Sequence, residues 1–237
     1  MDKSSFLYWY PKIIGELETP RSVIIPFSTR DAVQILSGNE DALSDLVDTI
    51  TRELYHKKIS FPLFFKTDYY SAKWYWGDSC FIEYRYELEK NILSLLSLNQ
   101  DDDGRPINAL IFKQYIHPET KLSAFNNMPI GKERRYFIEG KRVLCHHPYW
   151  NVGDIEFFNE EYPDNWEEIL HNLNIETEGE VGILTKGAEL FGELIDDDGY
   201  FSVDFMQGVA ENWYVIDCAE GHKSYHTEDC PIFISHR

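Results

Sequence analysis

Between Tyr200 and Glu220 the sequence reads YFSVDFMQGVAENWYVIDCAE. Two runs of β-formers, YFSVDFM and WYVIDCA, flank a polar segment with Gly208, Glu211 and Asn212, a pattern that predicts a β-hairpin. Each strand carries one aspartate in apolar company, Asp204 and Asp217. With the turn centred on Ala210 and Glu211, these two stand directly opposite. Cross-strand neighbours have Cβ atoms roughly 4.5–5.5 Å apart, and like charges at that range destabilise a sheet. Three arrangements relieve the repulsion: a bridging cation, protonation of one carboxyl, or a different register. The first makes the hairpin a divalent-metal site. The bland alternative is two edge-strand acids facing water.

Composition narrows what such a hairpin could serve. The chain has 237 residues, enough for one large core or two small lobes. Its 43% hydrophobic and 15% aromatic content is that of a globular protein rather than a disordered one. The net charge of −19, from 41 acidic against 22 basic residues, argues against a general nucleic-acid or anionic-membrane surface. No apolar run reaches the length of a membrane span, and MDKSSFLYWYPK lacks a signal-peptide core. Cys80, Cys145, Cys218 and Cys230 are widely spaced with no CxxC, which fits reduced thiols in a cytoplasmic protein.

Along the chain, strands and helices are mixed. FLYWYPKI is punctuated against helix by Pro11, with Pro20 and Pro26 following, and SVIIPF reads as a short strand. From Ser37 to Lys57, Leu43, Leu46, Val47, Ile50 and Leu54 recur at helical spacing, with Ser37, Asn39 or Asp41 as the cap. FPLFFK is a strand ending in Lys66, and a second helix runs from Tyr86 to Leu98. DDDGRP (101–106) is a solvated acidic turn, and INALIFKQYI (107–116) a buried strand. RYFI and RVLCHH pair through a turn at Glu139–Gly140, residues 164–173 form a short helix, and 179–194 is amphipathic but of open type. Regular strand–helix alternation is missing, so the fold class is α+β with antiparallel sheets.

Basic side chains cluster at Lys132, Arg134, Arg135, Lys141 and Arg142. Strand alternation sends Arg135 and Arg134 to opposite faces, so that one can point into a cleft while the other is solvated. An acidic protein that accepts a polyphosphate needs a local positive potential, which Lys66, Lys73, Lys113 and Arg135 can provide. The alternative is a solvated basic hairpin. No GxxxxGK[ST], GxGxxG or GxSxG occurs, which excludes the commonest nucleotide loops and the nucleophile elbow. Two His/Cys groups, Cys145-His146-His147 and His222/His226/Cys230, hold zinc-type ligands but would have to converge in space.

Taken in order, several of these motifs resemble the ATP-grasp superfamily, and most of all its cell-division-cycle type, which assists assembly of a translation initiation factor, with its bacterial and phage relatives. FFKTDYYSAKW resembles the lysine strand and Ser–x–Lys/Arg loop, and LIFKQYI the hinge strand. Glu133, Arg135 and Phe137 match E-x-R-x-F, while Asp204 and Asp217 match the acids of the V-D-F/V and I-D-x-N strands. The likeness runs from about residue 60 to 221. It implies two α+β lobes gripping ATP: a reduced N-terminal segment (1–57), a small lobe (58–116) and a large lobe (117–237).

The resemblance also implies roles. Lys66 and Lys113 would contact the α/β-phosphates and the adenine side, and the backbone of Gln114, Tyr115 and Ile116 the adenine edge. Lys73 and Arg135 would face the outer phosphates, and Asp204 and Asp217 would hold Mg²⁺. Where the family has asparagine this chain has Ala219, so Glu220 is the candidate third metal ligand. The expected reaction is ATP-dependent activation of a carboxylate acceptor, with Arg135 and either His147 or His226 as catalytic candidates. The acceptor site would be small, shared with a protein partner, or built from the tail at His222–Cys230. The alternative is a non-catalytic ATP-binding assembly factor.

Overall fold

The computed structural model describes residues 2–101, 105–157, 161–227 and 230; residues 102–104 of the acidic turn and most of the final tail lie outside this set. The architecture is α+β with antiparallel sheets. The chain divides into two units: Pro20–Tyr115 with Phe125–Met128, and a second drawn from the segments up to Thr19, Ile116–Ala124 and from Pro129 onward. Among the described residues, no helix is long and apolar enough to cross a membrane.

Helix α1 (Phe6–Ile13) opens the chain and belongs to the second unit. It forms in spite of Pro11, contrary to the sequence expectation. Ser5 caps its start, and Phe6, Trp9, Tyr10 and Ile13 recur at helical spacing and are all buried. Burying that stripe outweighs the one hydrogen bond a proline near the end removes.

In the first unit, β1 (Ser22–Pro26), α2 (Thr29–Leu36), α3 (Glu40–Lys57), β2 (Leu63–Thr67), β3 (Phe81–Ile82), α4 (Leu88–Asp101) and β4 (Ala109–Gln114) follow in order. The strands form one antiparallel sheet in the order β1-β4-β2-β3. Asn39 caps α3 by accepting from Ala42 N, as its sequence suggested, and Ser28 with Asp31 makes a capping box for α2. Val23, Ile25, Leu63, Phe65, Leu110 and Phe112 point to one sheet face and form the core with residues of α2, α3 and α4. Lys66 and Lys113 therefore fall on the other face, by strand alternation.

The second unit holds the remaining elements, except that Met128 of β6 is assigned to the first. Two-residue strands β5 (Ser123–Ala124) and β6 (Met128–Pro129) precede β7 (Glu133–Glu139) and β8 (Arg142–Pro148). Helices α5 (Val152–Glu156), α6 (Trp166–Asn174) and α7 (Glu178–Ile195) lead to β9 (Tyr200–Gln207) and β10 (Trp213–Glu220). The open segment 179–194 is thus helical, with Leu184, Ala188, Phe191 and Ile195 buried. The sheet order is β10-β9-β7-β8, antiparallel throughout. α7 packs on β7 and β8, and α1 on α7 and β10.

Arg134 is not solvated, as alternation alone had allowed. It is fully buried on the helix side, its Nε 2.6 Å from Glu180 Oε1 and its Nη2 donating to Leu173 O and Ile175 O at 3.0 and 3.1 Å. Three carbonyls and a carboxylate satisfy its donors, which is what allows a charge to sit there.

Candidate functional site

The hairpin β9–β10 places Asp204 directly opposite Asp217. It reaches this register by an unexpected route. Trp213 pairs with Gln207 and Val215 with Phe205, which centres the turn one half-step earlier than the sequence suggested. Continued regularly, that ladder would set Asp204 against Ile216 and turn Asp217 to the opposite face. A bulge between Val215 and Asp217 adds one residue and restores the pairing of the acids. Burial records the shift: Val215 and Cys218 are both buried although three residues apart.

The same rung continues across the sheet. Asp204 pairs with Arg135 on β7, and Arg135 with His147 on β8. One row thus carries Asp217, Asp204, Arg135 and His147, on the sheet face opposite Arg134. Arg135 donates to Asp204 through Nε at 2.8 Å and Nη2 at 2.7 Å, and lies 4.5 Å over the Tyr149 ring. Burial disfavours the guanidinium's charge, but the Asp204 carboxylate outweighs it and holds its pKa above the ordinary value.

His147 donates through Nδ1 to Pro148 O at 2.8 Å, the tautomer that leaves Nε2 a lone pair. Nε2 is buried and, among the described residues, has no hydrogen-bond partner. Burial, with Arg135 nearby, lowers the imidazole's pKa and keeps it neutral.

Glu220 does not join this row. Alternation beyond Asp217 turns Ala219 to the aspartates' face and Glu220 to the other, where it pairs with Phe201 in the ladder, forms an ion pair with Lys223 and lies 3.5 Å from His222 Nε2. The candidate third ligand is therefore corrected: the position beside Asp217 is occupied by the Ala219 methyl, facing Ser202, whose Oγ is 2.6 Å from Ser224 Oγ.

His226 reaches the next rung rather than the row. Its ring stacks on Phe137 at 3.6 Å, and its Nε2 is 2.7 Å from the Tyr200 hydroxyl. With Nδ1 3.3 Å from Cys230 Sγ, both ring nitrogens are engaged, which suits a structural or ligand role better than a base.

In the first unit, Lys66 (2% exposed) and Lys113 (4%) are buried on the sheet face away from the helical core. Phe64 pairs with Lys113 and Ile111 with Lys66, so the two lysines are diagonal neighbours. The Lys113 ammonium lies 5.9 Å over the Phe64 ring. Asp68, which the sequence did not single out, anchors this strand's end. Its carboxylate accepts from Asn108 N and Nδ2, both at 3.0 Å. Lys73 is half-buried and begins a 3₁₀ turn, Lys73–Asp78, which Ser79 ties down by donating to Ala72 O and Tyr75 O. At the end of β4, Gln114 N donates to Arg21 O at 2.8 Å and Tyr115 N to Pro62 O at 3.3 Å.

No family model and no curated protein matches this sequence. Among solved structures, Cdc123 from Schizosaccharomyces pombe matches with a TM-score of 0.55 and 15% identity, over 92% of this chain and 83% of that one. The ATP-grasp ligase PsnB, solved with a minimal precursor, Mg and ADP, matches with a TM-score of 0.51 and 11% identity, over 99% of this chain and 57% of that one. The chain has the ATP-grasp fold. It spans a little over half the length of the ATP-grasp ligases it matches. At these identities the likeness concerns the fold, and the chemistry of this chain rests on its own residues.

Proposed function

We propose that this ATP-grasp chain binds Mg·ATP and transfers the γ-phosphoryl group to a carboxylate acceptor, giving an acyl phosphate open to attack by an amine. The observation that carries this reading is the row Asp217–Asp204–Arg135–His147, which aligns two acids, a cation and a neutral imidazole on one sheet face. Two facing carboxylates are the hard oxygen donors that Mg²⁺ takes, so the residues fit the ion. When bound, it would neutralise phosphate charge and orient the transferred group. Arg135 fixes the Asp204 carboxylate by two bonds and brings positive charge to the row.

In the first unit, Lys66, Lys113 and Lys73 offer positive charge of the kind a triphosphate takes. The adenine edge is assigned to the backbone of Gln114, Tyr115 and Ile116, at the end of β4, where Gln114 N and Tyr115 N also donate to Arg21 O and Pro62 O. His147, neutral and with Nε2 accepting, is the proposed proton acceptor for the attacking amine. His226 and Glu220 are given no part in this chemistry.

Ala219 supports a second reading, a non-catalytic ATP-binding assembly factor, because its methyl group leaves the metal two protein carboxylates. Thermal unfolding tests what both readings share. Ligand at ~100 times its Kd stabilises by ~2.7 kcal/mol, which at ~2–4 °C per kcal/mol for a chain of this size is a rise of about 5–11 °C. Mg·ATP should produce that rise, Asp217→Asn should abolish it, and Lys66→Ala should reduce it. A wild-type chain that melts unchanged at millimolar Mg·ATP sinks both readings. Steady ATP turnover with a small-molecule or peptide carboxylate establishes the enzyme, and binding without turnover the assembly factor.

A further inference from the structure

One rung along from the acid–arginine row, the fold gathers three soft donors from distant parts of the sequence. Cys145 lies on β8 opposite Phe137, and His226 and Cys230 come from the tail after β10. Cys145 Sγ and Cys230 Sγ are 3.3 Å apart, Cys230 Sγ and His226 Nδ1 3.3 Å, and Cys145 Sγ and His226 Nδ1 3.8 Å. We propose that these three residues bind Zn²⁺ in a Cys₂His site that fastens the tail to the sheet.

The geometry matches the chemistry of that ion. With Zn–S near 2.3 Å and Zn–N near 2.0–2.1 Å in a tetrahedron, donor atoms stand about 3.5–3.8 Å from one another. The observed triangle has nearly those edges. The imidazole is also set for ligation by its surroundings. With Nε2–H donating to the Tyr200 hydroxyl, 2.7 Å away, the ring takes the tautomer that turns the Nδ1 lone pair to the two sulfurs, and stacking on Phe137 fixes the ring plane. Cys230 is buried, which keeps competing water from one side.

A disulfide between Cys145 and Cys230 would engage two of the three groups and leave Nδ1 without its partner. Convergence of all three is what a metal requires. Loading releases two thiol protons to solvent as two thiolate–zinc bonds form, with no change of oxidation state. Among the described residues three protein ligands converge, so the fourth position is left to water or a substrate atom, the pattern of zinc sites with an open position. The two His/Cys groups that the sequence shows apart converge here through one member of the first and two of the second. It stands or falls independently of nucleotide binding.

The test uses the whole chain, reduced and stripped of metal, with Zn²⁺ alone as the probe. Uptake of about one equivalent is expected, and Co²⁺ in its place should show visible absorption of a four-coordinate ion with thiolate-to-metal charge transfer. Cys145→Ser, Cys230→Ser and His226→Ala should each lose the Co²⁺ spectrum, while Cys80→Ser and Cys218→Ser keep it. Should those variants fold poorly, alkylation of the wild-type chain decides. Zn²⁺ should slow modification of Cys145 and Cys230 by about tenfold or more, because a metal-bound thiolate is withdrawn from attack. Uptake below about a tenth of an equivalent, equal protection with and without Zn²⁺, or a Cys145–Cys230 disulfide in chain isolated from reducing cytosol overturns the proposal.

Discussion

Replacing Arg135 with methionine removes the guanidinium that faces Asp204 across β7 and β9 while keeping an apolar stem against Tyr149. The pair is largely dry, with side-chain exposures of 13% for Arg135 and 8% for Asp204, and is joined by two bonds of 2.8 and 2.7 Å. Asp204 would be left buried, with Asp217 as its cross-strand neighbour. Removing one partner of a buried ion pair costs about 3–5 kcal/mol, because the other charge stays desolvated and uncompensated. That corresponds to a fall of ~6–20 °C in Tm at ~2–4 °C per kcal/mol. Urea unfolding followed through the six tryptophans measures it directly.

Two further variants sharpen this prediction. Arg135→Met with Asp204→Asn removes both charges and should recover most of the loss, since replacing a whole buried pair is often nearly neutral. Mg²⁺ alone should stabilise the Arg135→Met chain more than wild type, because it meets two facing acids without their arginine, and Asp217→Asn should cancel that gain. An Arg135→Met chain within about 0.5 kcal/mol of wild type, the range of ordinary surface substitutions, would refute the reasoning.

Other perturbations follow from the same geometry. Burial lowers the pKa of His147 below 6.5, so the unfolded chain binds more protons just below that pH; stability is therefore lost as pH falls beneath about 6.5. His147→Gln should flatten the pH slope of urea stability by up to ~1.4 kcal/mol per pH unit, and an unchanged slope would remove the imidazole from this account. A Cβ at Gly192 would press on Gly140 O and come within 3.1 Å of Lys141 Cα, so Gly192→Ala should destabilise by about 1–3 kcal/mol. Gly182, in the same helix with nothing within 4 Å, should instead gain up to ~1 kcal/mol as alanine. Equal effects at the two positions would mean that α7 does not approach the β7–β8 turn so closely.

The local patterns were written in the sequence. Leu43 to Leu54 at helical spacing gave α3 with Asn39 among its candidate caps, and the two β-former runs gave a hairpin with one aspartate in each strand. Such signals are legible because the helix and strand periods are properties of neighbouring residues. Even the proline-bearing helix α1 had its buried stripe on view, and Pro11 concealed it only because breaker rules weigh one backbone bond above four packed side chains.

What joins distant segments was not legible in that way. A single bulge at Ile216 decides that both aspartates share a face, and alternation beyond it decides that Glu220 does not. Arg134 and Arg135 are adjacent and chemically identical. Only the packing of α7 against one sheet face makes the first a buried structural ion and the second part of the candidate site. Sequence showed two separate His/Cys groups and could not say whether they met. The residues that do meet, Cys145, His226 and Cys230, lie 81 and 85 positions apart and are brought together by the β7–β8 register and the path of the tail. The sequence by itself determined which side chains each strand and helix would present. Only the tertiary structure decided which of them share a rung, because register and sheet order depend on the packing of the whole sheet rather than on any one segment.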